Sequence, residues 1–473
     1  MNMDMNMNMK NPTLPLELIS EILLRLPVSS VMRFKLVCKS WLSLISEPRF
    51  GLSHYDLAAS PSHRLILISN DYYAESIDIQ TPLNMHSAVV RFPLPPTSPP
   101  FRDEYRHDHR DKHEIIGSCR GLVVLYYERS CDLIIWNPSI GVYELLPKFD
   151  YGLTRFYLYG FGYDTASDDY LLILIGLFNE YRSDDESEID DSEDDQPEDA
   201  ECKVNYQIIC FKSDSFNTGD VFVSYEILAD KFRGGVLFNE ALHWLVFSKE
   251  KRVPVIFYFD LIQRSFSEIP LFDRFTMEEY DVNSFRVMGG CLSVCCSLRD
   301  YAMDEIWVMK EYKVESSWTK SVAFASTGFS PICIAGDGGI IGSNFSGRLE
   351  KLNDKGEVLD YFVYGEGQWL YSAELQSAVY RESLVSLSSV VPETREYDHG
   401  ETSEDDSGET VFYRESLLSI SGVIPQTGEY EHGETSEDEH GEISEDEHGE
   451  TSEDDHWETS EDDHGETSED DQQ

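Results

Sequence analysis

GSCRGLVVLYYERSCDLIIWNPSIGVYELLP, residues 117–147, decides how the chain is read. Two runs in it, LVVLYY and DLIIWN, are rich in β-branched and aromatic residues and have the length of strands. Asn137-Pro138 marks a turn after the second run, and Trp136 just before it is a core residue. Runs of the same kind recur on both sides: LILIS, YLLILIGL, YQIICF, FVSYEIL, ALHWLVF, VIFYFDL, EIWVM and YFVY. Residues 60–375 are therefore short strands separated by turns, and the fold class is mainly β. Glycine pairs at Gly234-Gly235, Gly289-Gly290 and Gly338-Gly339 stand 55 and 49 residues apart. Kelch-type blades run about 50 residues. So many short strands expose many edges, and a β-propeller protects them better than a sandwich does.

Upstream the pattern changes. Residues 11–50 read as three helices. Thr13 can cap the first, with Pro15 in its first turn. Leu18, Ile19, Ile22, Leu23 and Leu26 follow at helical spacing, and Pro27 stops it. Ser29 and Ser30 can cap a second helix over Val31 to Lys35. A third runs from about Leu36 to Ser46, with Val37, Trp41, Leu44 and Ile45 on one stripe, and Pro48 ends it. So small a unit cannot bury all these apolar side chains internally. Either a partner protein covers one face, or the helices pack on the rest of the same chain.

The 473 residues carry a formal charge of −52, unevenly spread. Residues 180–201 hold 13 acidic groups against one Arg, and residues 429–473 hold 22 with no Lys or Arg. The remainder still carries −18. Such a surface repels nucleic acid and suits a basic protein partner. The start, MNMDMNMNMK (residues 1–10), has no apolar signal region and reads as a disordered segment. The longest apolar run, LLILIGLF, is eight residues long. A membrane span needs about 20, so this run is a buried strand. Nine scattered cysteines without a CxxC pair point to a reducing compartment, the cytoplasm with the nucleus also open.

The tail repeats itself. YRESLVSLSSVVPETREYDHGETSEDD begins at Tyr380, and YRESLLSISGVIPQTGEYEHGETSEDE begins at Tyr413. An octamer of the type HGETSEDE then recurs from His432. Period eight fits neither a heptad nor a helical face. Residues 380–473 are thus expected to be a disordered acidic tail, following a β domain over 51–379 that contains the disordered loop 180–201.

The helical unit, LPLELISEILLRLPVSSVMRFKLVCKSWLSLIS (Leu14 to Ser46), resembles an F-box. Leu14-Pro15, Arg25-Leu26-Pro27 and Val37-Cys38-Lys39-Ser40-Trp41 carry the likeness. The resemblance implies docking on a Skp-type adaptor and, through it, on a cullin ubiquitin ligase. Leu14, Pro15, Leu18, Ile19, Ile22, Leu23, Leu26, Pro27, Val31, Val37, Cys38 and Trp41 would form or support that apolar face. The β region resembles the F-box-associated domain of plant F-box proteins. Gly117-x-Cys119-x-Gly121-Leu122, Trp136-Asn137-Pro138-Ser139, GFGYDTASDDY (Gly160 to Tyr170), LHWL (Leu242 to Leu245) and FDLIQRSFSEIPL (Phe259 to Leu271) carry that likeness, and within these elements Trp244, like Trp136, is expected in the core. The chain departs from the pattern at LLILI and at Asn239-Glu240, where a glycine is common. Within the family, IWVMKEY…SSWTK and YRESLVSL resemble S-locus F-box proteins. That implies a role in pollen self-incompatibility through recognition of basic ribonucleases.

Catalytic motifs are missing. GSNFSGRL (Gly342 to Leu349) has P-loop glycine spacing but Arg348-Leu349 in place of Lys-Ser/Thr. There is no GxSxG or HExxH. Cys291, Cys295 and Cys296 cluster without partner histidines, and His107, His109 and His113 lie in a charged, solvated loop, so no metal or cofactor is expected. The sequence leads to a non-catalytic substrate receptor. Its rivals are an F-box scaffold acting outside the ligase and a kelch-type copper oxidase, which the absence of a signal region disfavours.

Overall fold

The computed structural model describes residues 14–391 with gaps, the longest at 97–112, 179–202 and 365–375. Residues 1–10, the acidic run 180–201 and the octamers, for which composition predicts disorder, lie outside the described residues, as does Thr13.

Strands dominate. They form six antiparallel sheets, five of four strands and one of five. The innermost strands are Gln376–Arg381, His113–Cys119, Leu153–Asp164, Val236–Phe238, Tyr280–Met288 and Ser330–Ile334. Each lies beside the innermost strand of the next sheet, and the last returns to the first. The result is a six-bladed propeller. In the fourth blade the inner position is shared, because Tyr225–Ile227 pairs with the same neighbour further along.

Ring closure decides the fold's outer limits. The first blade runs, from inside outward, Gln376–Arg381, His63–Ile68, Tyr73–Asp78 and Val89–Pro93. Its register places Ala378 opposite Ile66 and Tyr380 opposite Arg64. One blade is thus built from both ends of the domain. The expected boundary at 379 cuts through this strand. Residues 380–391 belong to the propeller: Tyr380, Ser383, Leu384, Val385, Leu387, Val390 and Val391 are all buried. Their serine-rich composition resembles a tail, but pairing across some 300 residues overrides it.

Inner hairpins turn on two residues with positive φ: Arg120-Gly121 (50°, 83°), Asn239-Glu240 (45°, 57°) and Gly289-Gly290 (57°, 76°). Such mirror-image turns match the right-handed twist of paired strands and favour glycine or asparagine. Asn239-Glu240 therefore does the work of a glycine-containing turn with two side chains in the left-handed region. Gly234-Gly235 is not an equivalent turn. It leads into Val236–Phe238, and a methyl on Gly235 would press on the indole of Trp244. The glycine spacing thus matches true blade turns only at Gly289-Gly290 and Gly338.

The blades bury apolar faces against one another. Leu171 to Ile175 are at most 1% exposed, which explains that uninterrupted run in the sequence. Trp136 and Trp244 are core residues, as expected.

The N-terminal unit has four helices rather than three: α1 (Leu16–Leu23), α2 (Val28–Phe34), α3 (Lys39–Ser46) and α4 (Pro48–Leu57). Pro27 and Pro48 begin helices instead of ending them. Pro27 is the residue before α2 (φ −58°) and Pro48 opens α4. Proline lacks the N–H that a first turn leaves unpaired, and its fixed φ suits that position. Ser29 and Ser30 accordingly lie within α2, and α3 starts at Lys39 with Cys38 preceding it.

Candidate functional site: an open apolar helical surface

The twelve residues expected to dock a partner separate by exposure. Leu23 (1%) and Val31 (0%) are buried, and Ile19, Leu26 and Trp41 are half-buried. These five belong to or pack against the helical unit's own core, with Leu24, Val28, Ile45 and Phe50. Trp41 meets Phe34 edge to face at 5.4 Å. They support the surface and do not form it. Leu14, Pro15, Leu18, Ile22, Pro27, Val37 and Cys38 are exposed. Leu14 (57%) stands just ahead of α1, and Leu18 (51%) and Ile22 (51%), four residues apart, share one side of it. Val37 and Cys38 lie in the bend before α3, where Cys38 Sγ is 3.1 Å from Ser40 Oγ. The sequence reading left out Leu16 and Leu36, which are as open as the rest (48% and 59%). Their signal was simply an apolar residue off the counted stripe.

The core of this unit is completed by the propeller. Leu384, from the segment after the closing strand, is part of it, and Ile140 packs against it. A side chain at Gly51 of α4 would collide with the Leu384 carbonyl. His54 of α4 is buried, its Nε2 is 2.7 Å from the Leu26 carbonyl, and burial lowers its pKa. Arg381 donates to the Tyr55 carbonyl and stacks its guanidinium 4.1 Å from that ring's centre. Arg120, at the inner turn of the second blade, pairs with Asp56 at 3.2 Å and lies over Tyr163 at 4.3 Å. Of the two alternatives left open by the sequence, packing on the same chain is observed. One side of the helical unit packs on its own chain, and another remains open.

Asn137 organises this junction. It is fully buried at the end of Asp132–Asn137. Its Nδ2 lies near three acceptors: the Ser383 carbonyl (3.2 Å), Ser383 Oγ (3.1 Å) and the Val385 carbonyl (2.9 Å). Ser139 Oγ accepts from the Ser383 N–H at 3.1 Å. The sequence marked Asn137 only as a turn residue. Its partners lie 246 and 248 residues away.

Strand directions then sort the connections. Arg120-Gly121, residues 138–141 and the Thr165 to Asp168 turn lie at the end of the ring that meets the helices. The strand ends joined by 97–112, 179–202, 249–252 and 299–302 lie at the other. Among the described residues no group of His, Cys, Asp and Glu could hold a metal ion. Gly342 and Arg348 sit in consecutive strands of one hairpin with no helix following, which removes the P-loop reading. His243 is buried, between the Val236 carbonyl (3.2 Å) and Tyr312 Oη (2.8 Å). Burial pushes its pKa down to about 4, so it serves as a neutral core group. Among the described residues no helix is long and apolar enough to cross a membrane.

Comparison with known proteins agrees with this geometry. Residues 12–53 match the F-box domain, and residues 66–346 match the F-box associated beta propeller domain. An F-box/kelch-repeat protein of Arabidopsis thaliana is 30% identical over 326 residues, covering 65% of this chain and 78% of its own length. The F-box protein CPR1 of the same plant is 28% identical, covering 65% and 72%. The chain belongs to the F-box proteins whose second domain is an F-box-associated β-propeller.

Proposed function

We propose that this chain is the substrate-recognition subunit of an SCF-type cullin ubiquitin ligase. One observation carries the reading: Leu14 just ahead of α1 and Leu18 and Ile22 on it stay half exposed, while the core of the helical unit takes in Leu384 and Ile140 from the propeller. Half-exposed aliphatic residues in a row are a docking surface, and the family makes a Skp-type adaptor the occupant. A rigid junction then fixes the far end of the ring relative to the adaptor. The substrate binds among the connections on that far end and is held near the ubiquitin-loaded enzyme. The chain contributes proximity, not a reacting group. The acidic surface favours a basic protein substrate, with an S-locus-type ribonuclease as one instance. Eight free cysteines among the described residues fit a reducing cytoplasm or nucleus.

The test is reconstitution of the full chain with purified Skp-type adaptor and cullin. A stable ternary complex is expected. A complex holding adaptor without cullin would instead favour the scaffold role outside the ligase. No adaptor binding at all would overturn both.

A further inference from the structure

The strand that closes the ring exists twice in the chain. QSAVYRESLVSLSSV occupies 376–390, and ETVFYRESLLSISGV occupies 409–423, 33 residues later. The first copy is seated in the fold, and the second lies outside the described residues. What the first copy does in its seat can be compared with what the second carries.

The seat makes specific demands. Tyr380 hydrogen-bonds Ser76 at 2.8 Å, Arg381 holds the Tyr55 carbonyl, and Glu382 lies 3.9 Å from Arg64. Ser383 fits against Gly121, where a methyl would collide with its hydroxyl, and meets Asn137 and Ser139. Leu384 enters the helical unit's core, while Val385, Leu387 and Val390 enter the propeller core. The second copy supplies Tyr413, Arg414, Glu415, Ser416 and Leu417 unchanged, then Leu418, Ile420 and Val423. Every buried position keeps its residue or exchanges one aliphatic for another. The half-buried Ala378 and Val379 become Val411 and Phe412, which suit a strand. A solubilising tail needs none of this. The octamers that follow show what composition alone looks like.

We propose that residues 409–423 are a second closing strand, which competes with 376–390 for the same place beside His63–Ile68 within one chain. Exchange lengthens the connection from Tyr364 to the inner strand from 11 to 44 residues. Loop closure then disfavours the second register by about eightfold. It is a minor but accessible state. Both registers keep the helical unit anchored, since Arg414 and Leu417 repeat Arg381 and Leu384. What changes is the chain between them, which moves from the tail into the connection feeding the inner strand.

The test replaces 376–390 with a Gly/Ser sequence of equal length in the full chain. The expected product is a folded monomer melting within a few degrees of the unmodified protein. Amides 409–415 should exchange about 100-fold more slowly than in the unmodified chain. Leu384→Asp, a smaller change, should transfer protection to 409–415 in the same way, and adding Leu417→Asp should abolish it. Unprotected 409–415 amides in both variants would overturn the proposal. So would melting no better than a control with both copies replaced. Protection found only in a dimer would also overturn it, and would assign the seat to a second copy of the chain.

Discussion

Changing Leu14, Leu18 and Ile22 together to Ala separates docking from folding. Each is about half exposed, at 57%, 51% and 51%. Full burial of an aliphatic side chain is worth about 1.5–3 kcal/mol, so covering the open half contributes about 1 kcal/mol apiece. Loss of all three should weaken adaptor binding by about 3 kcal/mol, roughly a hundredfold in Kd. Each side chain keeps about half of its surface covered in the free chain, so each substitution should also cost about 1 kcal/mol of stability, less than the loss of a fully buried side chain. Leu23→Ala is the opposite case. It removes a side chain that is 1% exposed, and should cost about 2–5 kcal/mol of stability. The assay is calorimetric titration with purified Skp-type adaptor beside a thermal melt of each variant. A triple variant that binds as tightly as the unmodified chain would refute the docking surface. A single Leu18→Ala variant whose melting point falls as far as that of Leu23→Ala would refute the separation of roles.

Three further outcomes follow from the propeller. Asn137→Ala leaves the Ser383 and Val385 carbonyls buried without their donor and should cost about 3 kcal/mol in denaturant titration; an unchanged midpoint would show that the clamp is dispensable. His243, with a folded pKa near 4 against about 6.5 unfolded, stays neutral in the fold while the unfolded chain takes up a proton. Its contribution is intact above pH 6.5 and is lost as pH falls toward 4, by about 3 kcal/mol. Subtracting the stability–pH profile of His243→Gln should isolate that slope, and superimposable profiles would contradict it. Glu240→Gly relieves a side chain held at φ +57° and should raise stability by about 0.5–1 kcal/mol, less whatever its hydrogen bond from Thr165 contributes; a lower melting point would mean that the bond outweighs the strain.

The sequence by itself determined the strands, the mainly β class and the helical unit. Apolar runs such as LLILI and the spacing of Leu18, Ile22 and Leu26 are local signals with a period, and local signals survive without a fold. Trp136 and Trp244 were legible as core for the same reason. The prolines were legible as breaks, but not as to which side of the break was helical: proline fits the first turn of a helix as well as it interrupts one, and so α4 was missed. Only the tertiary structure decided where the propeller ends. Residues 380–391 have a serine-rich, tail-like composition, and a near copy of them sits in an acidic repeat. Their place is set by Ile66 opposite Ala378 and by the Asn137 amide, contacts made across some 250 to 310 residues. The same holds for Gly121, readable as a motif residue yet required because Ser383 comes to lie against it. Pairing at that separation leaves no period in the chain, so the closing strand, the clamp that holds it and the open side of α1 become visible only once the ring is shut.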